Sequence, residues 1–197
     1  MNPYILLLGA RADLYGITLL PECQESSFQY LRHNRLDVST FDGAIGGYGV
    51  LPVRECGNGR FDFAHDGMGP LCFVCEAIGR DGETVTDLVA WPVDDPFHVM
   101  TMFGACALVG EWEADNPATY FMESPLVMHR TPLDWLKAGC RGAAVVTPHR
   151  AARFLLDVPG RIAAQDYEHG RDLNSLIAGL FPAERVLIPA TSQRRAA

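Results

Sequence analysis

Three short apolar runs in the last third of the chain each lead directly into a helix-start signal: LVMHRTPLDWLKAG, AAVVTPHRAARFLL and RIAAQDYEHGRDLNSLIAGL. A strand followed by a helix pairs in parallel with the next strand, because a parallel crossover needs about a dozen residues and the helix supplies them. Repeated three times, the pattern demands an α/β fold whose strand C-termini share one edge, the place where such folds hold their ligands. The polar residues at those ends are His129, Arg130 and Thr131, then Thr147, His149 and Arg150, then Asp166, Glu168 and His169.

The punctuation agrees with the apolar pattern. Thr131-Pro132 predicts a helix start closed by Gly139, with Asp134 in a first turn where a carboxylate complements the helix dipole. Thr147-Pro148 predicts the cap of a second helix that stops before Pro159. Asp166 predicts the cap of a third, whose Leu173, Leu176, Ile177 and Leu180 recur at helical spacing.

Upstream, residues 4 to 15 and 26 to 35 predict two helices, a lead-in over residues 1–40. Between Phe41 and Gly59 six glycines predict a loop with one short strand near residues 48 to 53. Residues 61–64, 71–78 and 84–91 are rich in β-formers, and Asp81-Gly82 between the last two is a hairpin signal, so an antiparallel meander is expected over residues 60–110. Asp95-Pro96 predicts a short helix reaching Gly104, ACALVG a strand or core segment, and Asn116-Pro117 a helical turn. No linker divides the chain, so 1–197 reads as one domain, with the β-α-β-α lobe at 120–190 and a fraying TSQRRAA tail.

A formal charge of -8 and a pI near 5.1 argue against broad charge-driven binding of nucleic acid but leave room for a local basic cleft. The opening MNPYILLLGARA lacks a positively charged start, and no run approaches the ~20 apolar residues of a membrane span, so a cytoplasmic protein is expected. Six scattered cysteines then read as buried thiols.

Isolated motifs carry little. Cys72 and Cys75 form a lone CxxC inside a predicted strand, where residues three apart face opposite ways, so neither zinc nor a redox pair is expected. Asp62, His65 and Asp66 read as a polar turn, Cys106 as a core thiol, and Arg54, Arg60 and Arg80 equally as the lining of a surface groove for an anion or as a solvated face. The histidines at 129, 149 and 169 recur every twenty residues at helix starts, which would align them along one edge with helix N-termini that attract anions.

In element order, residues 71–180 resemble the Toprim-containing region of phage- and plasmid-type primases. LCFVCEAIGRDGETVTDLVAW resembles that family's hairpin segment, LVMHRTPLDWLKAG its first Toprim strand and helix, and RIAAQDYEHGRDL its D-x-D-x-x-G run, with Asp166, Glu168 and Gly170 as counterparts. The resemblance implies an antiparallel meander followed by a parallel Toprim-like unit. It also makes Asp166 and Glu168 the candidate catalytic acids, with Mg²⁺ as cofactor only if that site is active. The position of the family's glutamate is held here by Arg130 or Thr131, and a cation there opposes Mg²⁺ and favours phosphate, or pairing with Asp166. No cofactor or metal is therefore assigned. The expectation is a non-catalytic protein of phage or mobile-element origin that binds nucleic acid or a replication partner. His129, Arg130, Thr131, His149, Arg150, Asp166, Glu168 and His169 are the ligand-facing set. Two alternatives stand beside it: a binder or hydrolase of a small anionic ligand using the His/Asp edge, and an acidic protein that inhibits or bridges a partner.

Overall fold

Helices α1 (Pro3–Thr18) and α2 (Pro21–Asn34) lie against a long strand, β1 (Ile45–Gly57). The computed structural model describes residues 3–41 and 43–181, and the TSQRRAA tail lies outside them. α1 buries Leu7, Ala10 and Leu14, one helical face. α2 starts earlier than Ser26, at Pro21, because proline suits the first helical position. No helix among the described residues is long and apolar enough to cross a membrane by itself.

The expected glycine loop is instead the longest strand. Three of its glycines are there for space: a methyl group on Gly46 would strike the Glu76 carboxylate, on Gly47 the Tyr15 ring at 2.9 Å, and on Gly49 the Thr18 methyl at 2.6 Å. Helix α1 thus approaches β1 where side chains are missing.

β2 (Arg60–Phe63), β3 (Leu71–Ile78), β4 (Val85–Pro92) and β5 (Met100–Thr101) join β1 in a closed barrel of order β1-β2-β5-β4-β3 rather than an open meander. Closure follows from the length of β1, which pairs with β3 through Ile45–Pro52 and with β2 through Val53–Gly57. The β3–β4 hairpin is as expected: Asp81 Oδ1 accepts from Thr84 N–H at 2.8 Å, and Gly82 takes a φ of +73°. The helix expected from Asp95-Pro96 does not form. Asp95 makes only a turn, and Met100 and Thr101 pair with Ala90 and Val89 instead, so the ladder overrides the local cap signal.

After the barrel come β6 (Leu108–Val109), α3 (Glu111–Asp115), a 3-10 segment (Pro117–Glu123), β7 (Leu126–His129), α4 (Pro132–Lys137), β8 (Ala143–Val145), α5 (Pro148–Leu156), β9 (Ile162–Ala164) and α6 (Tyr167–Ala178). The second sheet runs β6-β8-β7-β9, with β7 parallel to both β8 and β9 and β6 antiparallel on the β8 edge. The three strand-helix units are therefore real and parallel, and the α/β class holds.

β3 and β4 are buried on both faces. Cys72, Val74, Leu88 and Ala90 pack with Phe61, Phe63, Met100 and Leu14. Phe73, Cys75, Val89 and Trp91 pack with Tyr30, Trp135, Leu136 and Ala144, so one apolar cluster runs from the barrel into the parallel sheet. Cys72 and Cys75 thus face opposite clusters, and all six cysteines are free.

Buried acids pin the parts together. Asp87 on β4, fully buried, accepts from the N–H groups of Leu88, Phe103, Ala105 and Cys106 at 2.6 to 3.2 Å, fastening the segment that leaves the barrel. Glu76 on β3 accepts from Arg11 Nε at 2.6 Å and Gly47 N–H at 2.9 Å, fastening α1 to the barrel.

Candidate functional site

The C-terminal ends of β7 and β9 lie side by side, with Met128 opposite Ala164, so the residues after each strand meet. Arg130 forks onto Asp166, Nη2 to Oδ1 at 2.7 Å and Nε to Oδ2 at 3.1 Å. The same Asp166 Oδ1 caps α6 by accepting from His169 N–H at 2.9 Å. The Arg130 guanidinium and the His169 amide together hold the Asp166 carboxyl down to about 2, while the pairing raises Arg130.

Beneath this fork lies a second layer. Gln165 Oε1 accepts from Arg130 N–H at 3.1 Å, and its amide nitrogen faces His129 Nδ1 at 3.3 Å. His129 Nε2 lies 2.8 Å from the Arg141 carbonyl, which can only accept, so Nε2 carries the hydrogen. His169 Nδ1 accepts from Gln165 N–H at 3.3 Å. Burial, and then the nearby Arg130 charge, lower the His169 pKa. Both imidazoles are buried and committed to the backbone and to Gln165.

Of the expected set, His129, Arg130, Asp166 and His169 are brought together. Thr131 is a buried helix cap, its hydroxyl accepting from Asp134 N–H at 3.1 Å. Glu168 faces solvent and pairs with Arg171. His149 and Arg150 are exposed after β8, on the opposite side of β7 from β9, so the three histidines do not converge. Among the described residues no three His, Cys, Asp or Glu side chains are grouped to hold a metal ion. Thr147 precedes α5, but its hydroxyl donates to the Cys106 carbonyl at 2.7 Å instead of capping the helix.

Sequence reasoning passed over Gln165, which links Arg130 to both histidines, because a lone glutamine carries no motif. It also passed over a charge division that the sequence does show. Residues 1–125 hold six Lys and Arg against eighteen Asp and Glu, whereas residues 126–181 hold seven against five. The excess negative charge lies before β7, in the helical lead-in, the barrel and the β6–α3 segment, and residues 126–181 are slightly positive.

Fold and site together define an α/β protein with a closed barrel and a parallel-strand edge organised by an arginine–carboxylate fork. No family model, curated protein or solved structure matches the chain.

Proposed function

We propose that this chain is a non-catalytic, Toprim-like protein of phage or mobile-element origin that binds nucleic acid or a replication partner through its parallel-sheet portion. The observation that carries the reading is the Arg130–Asp166 fork. A Mg²⁺ site for phosphoryl chemistry needs carboxylates free to converge on the ion. Asp166 instead spends both oxygens on a guanidinium and a helix amide. Glu168, the other candidate acid, is turned to Arg171. The charge division supports contact with an anionic partner on residues 126–181 and repulsion of it by the residues before them.

Fluorescence anisotropy with labelled single-stranded and duplex DNA tests the binding. Affinity is expected to fall at least tenfold as salt rises from about 50 mM to about 200 mM, because phosphate contacts release counterions. No binding to either DNA at the lower salt would remove the nucleic-acid reading and leave the replication partner. Mg²⁺-dependent turnover of DNA or nucleotides that disappears in Asp166→Asn, in a variant that circular dichroism shows to be folded, would overturn the non-catalytic reading.

A further inference from the structure

Between the barrel's β3–β4 hairpin and helix α5 lies a cavity of about 300 Å³ whose charged walls are Arg80, Arg150 and Arg153, with Glu111 and Asp157. Arg80 comes from the hairpin, and Arg150 and Arg153 are three residues apart on α5, the spacing that puts two side chains on one helix face. The cavity is separate from the Arg130–Asp166 fork, since α5 follows β8 and the fork joins the ends of β7 and β9.

The arginines are available. Arg80 is stacked on the Phe154 ring, its guanidinium carbon 4.0 Å from the centroid, and among the described residues its salt-bridge partner, Asp115, is at 3.9 Å. Stacking fixes the plane of the guanidinium without consuming its N–H donors. Among the described residues Arg150 and Arg153 form no salt bridge and donate no side-chain hydrogen bond, and both are exposed. Surface arginines commonly find a carboxylate, and two unpaired ones beside a stacked third leave positive charge in a concavity.

The acid on the inner wall does not cancel it. Glu111 is buried, and its Oε1 is taken by the Ala107 N–H at 2.7 Å and the Leu108 N–H at 3.4 Å. Burial pushes the Glu111 carboxyl upward, against the pull of those amides and of Arg80 and Arg150. Asp157, at the end of α5, is exposed. Among the side chains that line the cavity, three guanidiniums against two carboxylates leave one net positive charge, and Asp115, at 3.9 Å from Arg80, stands outside the lining.

We infer that this cavity binds a phosphate group presented singly, as inorganic phosphate or a phosphomonoester. One arginine fork is enough for a planar carboxylate, whereas a tetrahedral oxyanion offers acceptors to donors arriving from several directions. The walls come from two separate parts of the chain, so the bound anion ties the barrel hairpin to α5. The inference does not depend on whether residues 126–181 bind nucleic acid.

Calorimetric titration of the full chain with inorganic phosphate, adenosine monophosphate and acetate tests it. Phosphate and adenosine monophosphate are expected to bind one per chain; equal affinities identify the phosphate group alone as the ligand, and tighter monophosphate binding identifies a nucleotide. Arg150→Gln and Arg153→Gln are each expected to weaken binding by about tenfold or more, and Arg161→Gln, an exposed arginine outside the cavity, to leave it unchanged. Both cavity substitutions are at exposed positions, and circular dichroism checks that the variants stay folded. No saturation up to about 10 mM phosphate or monophosphate, equal binding by the cavity variants, or acetate binding as tightly as phosphate would each overturn the inference.

Discussion

Arg130 and Asp166 stand thirty-six residues apart in the chain, yet Nη2 and Oδ1 meet at 2.7 Å because β7 and β9 are parallel neighbours. The pairing locks the cap of α6 to the end of the adjacent strand. A carboxyl held down to about 2, from an ordinary 3.8, contributes stability that is complete above its unfolded value and is lost as pH falls through the folded one. The urea midpoint of the wild type is therefore expected to exceed that of Asp166→Asn above about pH 4, with the gap closing toward about pH 2. A gap that persists unchanged at the acid end would exclude the ion pair as its source.

Glu76 is expected to be sensitive from both sides. Gly46→Ala drives a methyl group into its carboxylate and should cost about 1–3 kcal/mol through overpacking. Glu76→Ala should cost about 3 kcal/mol, the lower end for breaking a buried pair, because Arg11 is 31% exposed and still reaches water. Chemical denaturation measures both, and a neutral Gly46→Ala would show that the Glu76 carboxylate does not sit against β1 as closely as described.

At Asp87 four amides converge on one carboxylate, and an asparagine would turn an NH₂ group toward donors. Asp87→Asn is expected to destabilise by about 2 kcal/mol or more, since at least one buried amide loses its acceptor. Burial raises the Asp87 carboxyl in spite of those amides, so its charged form is the costlier one. The group's own contribution is greatest below its unfolded pKa and declines as pH rises toward the folded value. Denaturation curves of the two proteins at acid and neutral pH read both effects.

Trp135 sits in the cluster shared by the barrel and the parallel sheet, with its indole N–H donating to the Gly142 carbonyl at 3.0 Å. Trp135→Ala is expected to cost about 3–5 kcal/mol. The wild type should unfold in one step whether followed by tryptophan fluorescence or by far-ultraviolet circular dichroism. Two separated transitions would show that the portions do not share a core.

The thiols offer a direct check on burial. Cys56 is exposed and the other five cysteines are buried, with Cys72 and Cys140 pushed up to about 12 by desolvation. A thiol reagent should label one cysteine rapidly in the native protein and all six after unfolding. Rapid labelling of Cys72 or Cys75 would contradict the two-sided burial of β3.

The residues themselves determined the three parallel strand-helix units, because apolar runs, Thr-Pro and Asp starts and helical spacing are local signals that agree with one another. They also determined the Asp-Gly hairpin, whereas they left Arg130 open between phosphate and Asp166 until the strand order put the ends of β7 and β9 side by side. Only the tertiary structure decided that β1 would be a strand: its glycines signal a loop by composition, and their use as clearance for α1 exists only when α1 is in place. Closure of the barrel was likewise invisible, since β5 is two residues long and is defined by its partners rather than by any propensity. The separation of His149 from His129 and His169 rests on the strand order β8-β7-β9. Even spacing along a chain says nothing about which strand lies in the middle. Asp87 and Glu76 look like ordinary surface acids until the fold surrounds them with amides and Arg11, because burial belongs to the whole packing and not to any stretch of sequence.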